Sequence, residues 1–369
     1  MRVIVSGGGT GGHIYPALSI IREVQKREPD SEFLYIGTEK GLEADIVGQT
    51  DIPFETVHIT GFKRQWSLEN IKTIFRFLKG VRRSKKIIRR FSPDIVVGTG
   101  GYVSGPVVYA ASRLKIPALV HEQNVVPGLT NVFLSRFTQA VAVSFQASVK
   151  HFTDGRRIEL TGNPRASEVV QADGEQGIRS LGIPPNKKVI LVVGGSRGAE
   201  AINRAFLDMA DRIDRFADCH FVYVTGDIHY DHICHELTER KAPMEKMTVQ
   251  PFVYNMPDVL AATDLIINRA GASFLAEITA LGIPAILIPS PYVTNNHQEK
   301  NARWLEKEGA ARVILERDLD GKRLFETIAE LLADQERIKH MKRASARLGQ
   351  TDAAAQIYQL MKKLVHQKN

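Results

Sequence analysis

Three glycine-rich turns carry the residues whose types and spacing could do chemistry: Gly7–Gly12, Gly98–Gly105 and Gly194–Gly198. Each turn directly follows a short apolar run. Glycine lets the backbone approach a ligand closely and adopt positive φ. The helix that follows presents free N–H groups and the positive end of its dipole. Three such turns in one chain therefore predict a ligand that carries phosphate.

The first turn also matches a second kind of site. Gly7, Gly9 and Gly12 satisfy the G-x-G-x-x-G spacing of dinucleotide-binding proteins. That fingerprint requires an acid about 20 residues further on, at the end of the second strand, to hold the ribose. Here Glu39 comes two residues after that strand, and another glycine turn opens the second half. An NAD-dependent oxidoreductase is therefore the alternative from a different class.

A possible metal motif occurs near the end of the chain. Asp318-Leu319-Asp320 spells the D-x-D with which some sugar transferases hold a metal ion. It precedes a helical stretch at 323–332, so we interpret it as a pair of acids at a helix N-terminus. With no other carboxylate cluster, we expect no metal ion and no cofactor.

Short apolar strands alternate with helical stretches along the whole chain, which is typical of parallel sheets covered by helices on both faces. Both halves begin with a strand, a glycine turn and a helix. The pattern predicts an α/β fold of two doubly wound, Rossmann-like parallel-sheet domains that face each other. The join lies near Gly162-Asn163-Pro164. The predicted strands are 3–6, 33–36, 95–98, 118–121, 140–143, 189–193, 220–224, 265–268, 285–288 and 312–315.

Composition excludes several classes of protein. A chain of 369 residues predicts two domains, and 43% hydrophobic with 24% charged residues is globular composition. Cys219 and Cys234 are expected to be reduced thiols in a cytosolic protein. No apolar run reaches the roughly 18–20 residues that cross a bilayer, and the N-terminus does not resemble a secretion signal.

The positive charge lies in the first half. Residues 1–163 hold 22 Lys and Arg against 14 Asp and Glu, whereas the remainder holds 27 of each. Residues 71–90 contain nine basic residues and no acid, and Ile71, Ile74, Phe75 and Leu78 share one helical face. A basic amphipathic helix predicts contact with anionic lipid. The alternative is a helix that packs on its own domain, and we expect no nucleic acid.

Seven short motifs, taken in this order over essentially the whole chain, resemble the MurG family of bacterial glycosyltransferases. The resemblance implies a GT-B architecture, with an acceptor and membrane-associating domain at 1–163 and a donor domain at 164–345. A C-terminal helical segment at 346–369 is expected to pack back on the first domain. The motifs are Gly7-Gly8-Gly9-Thr10-Gly11-Gly12-His13, Gly98-Thr99-Gly100-Gly101-Tyr102, His121-Glu122-Gln123-Asn124, Gly162-Asn163-Pro164, Gly194-Gly195-Ser196, Arg269-Ala270-Gly271-Ala272 with Glu277, and Asn296-His297-Gln298 with Asn301-Ala302.

The family's reaction moves GlcNAc from UDP-GlcNAc to the C4 hydroxyl of undecaprenyl-diphosphate-MurNAc-pentapeptide (lipid I). It inverts the anomeric carbon and gives lipid II for peptidoglycan. The resemblance implies UDP-GlcNAc and lipid I as substrates, with positive protein groups in place of a metal at the departing diphosphate. It also implies a peripheral location on the anionic cytoplasmic face of the bacterial cell membrane, beside other wall-synthesis and division proteins. A nucleotide-sugar 2-epimerase of the same architecture is a further alternative.

The resemblance assigns roles to individual residues. His13 is the first candidate for the catalytic base, because its usual pKa suits proton transfer near neutrality, and Glu122 is the second. The acceptor diphosphate is assigned to Gly101, Tyr102 and Ser104. Donor binding is assigned to Thr10, Gly11, Gly12, Asn124, Arg165, Ser196, Val253, Arg269, Ala272, Glu277 and Gln298. Membrane contact is assigned to Ile74, Phe75, Leu78, Arg82, Arg83, Lys85 and Lys86.

One position departs from the family pattern. The family often shows Gly-Asn-Pro-x-Arg, but here Arg165 follows Pro164 directly and Ala166 occupies the usual arginine position. We therefore assign the arginine's donor contact to Arg165, one residue earlier.

Overall fold

Strands and helices alternate in the computed structural model as the sequence predicts. The structure describes residues 1–61, 68–152, 157–195 and 198–367, with the backbone alone at 68–71. Its strands are β1 (Arg2–Gly7), β2 (Glu32–Gly37), β3 (Phe54–Thr56), β4 (Ile95–Gly100), β5 (Ala118–Glu122), β6 (Ala140–Val143), β7 (Arg157–Leu160), β8 (Lys188–Val193), β9 (Cys219–Val224), β10 (Met247–Gln250), β11 (Leu265–Asn268), β12 (Ala285–Leu287) and β13 (Ala311–Val313).

The helices follow the same order along the chain. They are α1 (Gly11–Arg27), α2 (Leu42–Val47), α3 (Leu68–Phe91), α4 (Ser104–Arg113), α5 (Leu129–Ser135), α6 (Ala166–Val169), α7 (Gly174–Ser180), α8 (Glu200–Leu207), α9 (Tyr230–Glu239), α10 (Met256–Ala261), α11 (Ala272–Ala280), α12 (His297–Lys307), α13 (Gly321–Ala333), α14 (Gln335–Leu348) and α15 (Ala353–His366). Within the described ranges, no helix is long and apolar enough to cross a membrane.

The chain divides into two compact units. The first comprises 1–167 and 352–369, and the second comprises 168–351. Over the described residues, the first unit holds a parallel sheet ordered β3-β2-β1-β4-β5-β6-β7, and the second holds a parallel sheet ordered β10-β9-β8-β11-β12-β13. The predicted fold class of two doubly wound α/β domains is confirmed.

Successive residues of each strand serve the two faces of its sheet. In the first unit, Val3 and Val5 pack into a core with α1 and α15, while Ile4 packs into the opposite core with α3 and α4. In the second unit, β8 contributes Ile190 and Val192 to the core under α8 and α13. Each sheet is therefore buried on both faces, and the carboxyl ends of its strands are left for loops that can bind ligands.

The strand prediction missed three elements, and each lies at a sheet edge. All ten predicted strands are present within a few residues, but β3, β7 and β10 were not predicted. These strands are short and mostly half-buried. An edge strand with one open side needs no continuous apolar run, so the pattern that marks central strands is absent there.

The C-terminal helix α15 is joined to the first unit by a charged contact. Glu28, which follows α1, accepts hydrogen bonds from Lys362 Nζ at 2.7 Å and from Tyr358 Oη at 2.8 Å. The Lys362 bond, helped by Tyr358, lowers the pKa of Glu28 to about 2. The carboxylate is therefore ionised wherever the protein is folded near neutral pH.

We expect Glu28→Gln to lower the free energy of unfolding by about 2 kcal/mol at pH 7, because it removes a charged acceptor from Lys362, Tyr358 and the N-terminal ammonium of Met1. A folded-state pKa below the usual 4.5 stabilises the protein fully above about pH 5 and loses this effect as the pH falls toward 2. Urea unfolding at pH 7 and at pH 3 measures the difference. The exposed Glu32→Gln is the control, and an equal effect of both variants would contradict the assignment.

Candidate active site

The site in the first unit is built where the strand order reverses. β1 and β4 are neighbours, and the connections that follow them run to opposite sides of the sheet, which is where ligands bind in open α/β folds. The glycine turns after these two strands meet there. Gly8 N donates to Gly100 O at 3.2 Å. A Cβ on Gly101 would lie 2.3 Å from Gly8 O, so only glycine allows this approach.

His13 lies in the first turn of α1, directly over these glycine turns. Its Nδ1 is 2.8 Å from Gly8 O. Because a carbonyl oxygen only accepts, Nδ1 carries the proton and Nε2 keeps its lone pair. The ring lies against Gly100, where a Cβ would come within 2.7 Å of His13 Cδ2. The site thus presents an imidazole with a defined tautomer and a basic Nε2.

The environment of His13 keeps it neutral. Burial lowers its pKa from the usual 6.5, while the Gly8 hydrogen bond and the charge of Glu43 oppose the shift. A neutral imidazole can accept a proton at physiological pH, whereas an imidazolium cannot. The geometry and the direction of the shift both suit a general base.

Glu122, at the end of β5, is buried, and both of its carboxylate oxygens accept hydrogen bonds from the protein. Its Oε1 accepts from Asn124 N at 2.8 Å and from Asn124 Nδ2 at 3.2 Å, and its Oε2 accepts from Gly128 N at 3.0 Å and Asn131 Nδ2 at 2.8 Å. Burial raises the pKa of Glu122, and these bonds oppose the rise. The carboxylate fixes the loop from β5 to α5, and the geometry favours His13 over Glu122 as the base.

A second buried network joins the ends of three strands. His121 Nε2 donates to Gly162 O at 3.0 Å, and Gln123 Nε2 donates to Thr99 O at 2.8 Å. Burial lowers the pKa of His121 to about 4, so this imidazole is neutral. Thr99 Oγ1 in turn donates to His13 O at 2.8 Å. The sequence alone predicts no role for Thr99, His121, Gln123 or Asn131.

The three acceptor-binding candidates are placed differently from one another. Tyr102 is 57% exposed and lies over Gly61, where a Cβ would be 2.4 Å from its ring. Ser104 is buried, and its hydroxyl donates to Gly101 O at 2.9 Å. Tyr102 therefore offers a side chain to a ligand, while Ser104 holds the turn and offers its backbone at the start of α4.

The first-unit candidates for donor contact lie at the same sheet edge. Thr10 is exposed and precedes the free N–H groups of Gly11 and Gly12 at the start of α1. Arg165 lies over the ring of Tyr15, a residue of α1, and its Cζ is 5.5 Å from the ring centroid. Ala166, in the family's arginine position, is buried. Arg165 thus packs on the N-terminal part of α1, the helix that follows the first glycine turn.

In the second unit, the strand order reverses between β8 and β11. The turn after β8 contains Gly195 at φ +104° and Gly198 at φ +74°, conformations that favour glycine. Ser196, assigned to the donor diphosphate, lies outside the described residues. Gly271, after β11, caps α11 without a side chain, and a Cβ there would have no atom within 4 Å. The first N–H groups of α11, beginning at Ala272, suit an anion.

Arg269 has protein partners within its own unit. Its Nη1 is 2.5 Å from Glu316 Oε2 and donates to Ile288 O at 3.1 Å. The guanidinium is fixed at the start of the β11–α11 turn, and an arginine has further N–H donors for a phosphate. The structure therefore shows a positioned cation whose ion pair is partly buried.

The remaining second-unit candidates are Val253, Glu277 and Gln298. Val253 and Glu277 are both buried. Glu277 lies within α11, the helix that Gly271 caps. Gln298 Oε1 accepts from Ser290 N at 2.9 Å, which joins α12 to the loop after β12. That loop ends at Asn295 and Asn296, both with positive φ.

The second acid of the D-x-D sequence, Asp320, is the N-cap of α13. Asp320 Oδ1 accepts from Arg323 N at 2.7 Å and caps α13, which confirms the interpretation of this acid as a cap. Across the described part of the chain, no cluster of three or more His, Cys, Asp or Glu side chains is placed to hold a metal ion.

We expect the His13 imidazole to titrate below pH 6.5 and to carry its neutral-state proton on Nδ1. ¹⁵N NMR of histidine-labelled protein between pH 4.5 and 8 measures both properties, and His13→Gln assigns the signals by their loss. A pKa at or above 6.5, or a proton on Nε2, would contradict the geometry.

Comparison with known proteins identifies the family. Residues 3–143 match the glycosyltransferase family 28 N-terminal domain, and residues 189–357 match its C-terminal domain. A Bacillus cereus protein is 55% identical over 367 residues, covering 99% of this chain and all of the relative. It is named UDP-N-acetylglucosamine–N-acetylmuramyl-(pentapeptide) pyrophosphoryl-undecaprenol N-acetylglucosamine transferase 1. A Halalkalibacterium halodurans transferase with the same name, without the final numeral, is 54% identical and covers 99% of each chain.

Solved structures show the same fold. The crystal structure of Acinetobacter baumannii MurG aligns with a TM-score of 0.78 at 26% identity, covering 98% of this chain and 99% of that one. A Neisseria meningitidis UDP-GlcNAc 2-epimerase aligns at 0.68 with 15% identity, over 98% of this chain and all of that one, a likeness of fold alone. The matches to both domains and to full-length relatives show that the chain belongs to glycosyltransferase family 28.

Proposed function

We propose that this protein is an inverting N-acetylglucosaminyltransferase. It transfers GlcNAc from UDP-GlcNAc to the C4 hydroxyl of lipid I and so forms lipid II in peptidoglycan synthesis. The observation that carries the proposal is 55% identity over essentially the full length to relatives whose names state this transfer. The epimerase alternative rests on structures at 14–15% identity, and the match to both family 28 domains favours a transferase over an oxidoreductase.

The first unit binds the acceptor and supplies the base. Nε2 of His13 takes the proton of the C4 hydroxyl as its oxygen bonds to the anomeric carbon and the bond from that carbon to UDP breaks. The tautomer set by Gly8 O leaves Nε2 as the accepting atom. The acceptor diphosphate binds at the turn of Gly101 and Tyr102 and at the start of α4. Thr10 and Asn124 contact the transferred sugar.

The second unit binds the donor. Glu277 accepts from the ribose hydroxyls, the Val253 backbone binds uracil, and Gln298 contacts the sugar. Arg269, Ser196 and the first N–H groups of α11 bind the diphosphate, and Arg165 of the first unit is a further donor contact. These donors gain strength as negative charge develops on the departing UDP, so the proposal requires no metal ion.

Purified protein should release UDP from UDP-GlcNAc when a lipid I analogue is present, and this release should persist in EDTA. The acid limb of kcat/KM should lie below pH 6.5, because His13 must be neutral to accept the proton and burial lowers its pKa. UDP release without acceptor would instead indicate an epimerase or a hydrolase. Loss of activity in EDTA would contradict the metal-free leaving-group chemistry.

We further propose that α3 binds the anionic cytoplasmic face of the cell membrane. Its outer face exposes Ile74, Phe75 and Leu78 at 50%, 68% and 51%. Val81 and Ile87 of the same helix pack into the core and hold α3 on the first unit. Arg82 and Lys86 are exposed beside them, whereas Arg83 pairs with Glu55 at 2.8 Å. Exposed apolar residues ringed by cations suit an anionic bilayer surface.

Replacing Arg82, Lys85 and Lys86 with Gln should weaken binding to phosphatidylglycerol vesicles at least tenfold, since each cation contributes about 1 kcal/mol near such a surface. Sedimentation with vesicles at low and high salt measures the effect. The matched control changes the same net charge in the second unit, at Lys322, Lys339 and Arg343. Equal loss in both variants would indicate a general charge effect and exclude α3 as the binding face.

A further inference from the structure

Glu43 is a buried carboxylate that the proposed chemistry does not use. It lies near the start of α2, is 1% exposed, and has three hydrogen-bond donors around it. Oε1 accepts from Thr38 N at 2.9 Å and from Thr38 Oγ1 at 2.6 Å, and Oε2 accepts from Gly9 N at 3.0 Å. A buried carboxylate is retained only where its hydrogen bonds are satisfied.

Three glycines enclose this carboxylate, one from the turn after β1 and two from the end of β2 and its connection to α2. A Cβ would lie 2.5 Å from Glu43 Cδ at Gly8, 2.7 Å from Cγ at Gly37 and 2.4 Å from Oε2 at Gly41. Each position therefore depends on glycine to let Glu43 reach the first glycine turn. The arrangement is a specific enclosure for one side chain beneath the site.

Glu43 and His13 bind the two ends of one peptide group. Glu43 Oε2 accepts from the N–H of Gly9, and the carbonyl of the same peptide, Gly8 O, accepts from His13 Nδ1 at 2.8 Å. In a trans peptide the N–H and C=O point in opposite directions. A charged acceptor on the N–H fixes the peptide plane and polarises the carbonyl that faces the imidazole.

We propose that Glu43 is a positioning residue that sets the tautomer and basicity of His13 through the Gly8–Gly9 peptide. A carboxylate in direct contact with a catalytic histidine fixes the tautomer of the ring and makes it more basic. Glu43 has the same effect on His13, with one peptide group between them. The inference rests on the proposed function of His13 as the base.

The titratable groups around His13 come from two elements. Glu43 lies on α2, while His121 and Glu122 lie at the end of β5. His121 is neutral because burial lowers its pKa to about 4. Hydrogen bonds from Thr38 and Gly9 outweigh burial and lower the pKa of Glu43, so its charge persists at neutral pH and favours a more basic His13.

Glu43→Gln tests the proposal. A glutamine can accept on only one side, so either Thr38 or Gly9 then faces an NH₂ group. We expect kcat to fall by about tenfold or more, since a general base contributes 10²–10⁴-fold. KM for UDP-GlcNAc should change less than about twofold, and the acid limb of kcat/KM should move to lower pH. Glu39→Gln, exposed in the same β2–α2 connection, is the matched control and should leave all three unchanged.

A double variant distinguishes positioning from general structural damage. In the His13→Gln background, Glu43→Gln should change the residual rate by no more than about twofold, because both changes remove one function. A further large loss there would overturn the proposal, as would an unchanged kcat in Glu43→Gln alone. If Glu43→Gln does not fold, Thr38→Val is the alternative variant. It removes the hydroxyl that donates to Glu43 Oε1 and should give a smaller effect in the same direction.

The tautomer of His13 gives a readout that needs no substrate. ¹⁵N NMR should show the proton on Nδ1 in the unmodified protein and a mixture of tautomers in Glu43→Gln. An unchanged tautomer would overturn the inference. A changed tautomer in a protein that transfers no GlcNAc would overturn the proposed function and leave the link between Glu43 and His13 intact.

Discussion

The close approach of two glycine turns supports everything else in the first unit's site. Gly101 lies against Gly8 with no room for a Cβ, and this contact brings the turn after β1 onto the turn after β4. His13 is held over that junction, and Thr99 joins it from the second turn. The junction exists because β1 and β4 are neighbours in a doubly wound sheet. The strand order thus determines where His13 lies before any side chain contributes.

The central strands could be predicted from the sequence, because a strand that is buried on both faces is a continuous run of apolar residues. The ten predicted strands are apolar runs, and the glycine turns follow them at the sheet edge where ligands bind. The three missed strands are half-exposed edge strands, whose side chains meet fewer constraints. The cap at Asp320 was predictable because an acid before a helix satisfies local N–H groups, whatever the tertiary structure.

The supporting groups around the site could not be predicted in the same way. Glu43 acts on a turn more than 30 residues earlier, and its sequence signal is weak: a glutamate near a helix start with glycines on either side. Glu122 was recognised from its motif, but only the structure shows that four donors occupy its oxygens. Likewise, the pairing of Arg269 with Glu316 depends on two segments that meet only in the fold. Long-range polar partners leave no periodic pattern along the chain.

The two faces of α3 have a practical consequence for handling the protein. In dilute salt, the basic residues of one copy repel those of another and keep the exposed apolar residues apart. At 1 M salt the Debye length falls to about 3 Å, and this repulsion is screened. High salt therefore removes the electrostatic barrier to self-association through Ile74, Phe75 and Leu78. A mild detergent that covers these side chains is the better means of keeping the protein dispersed.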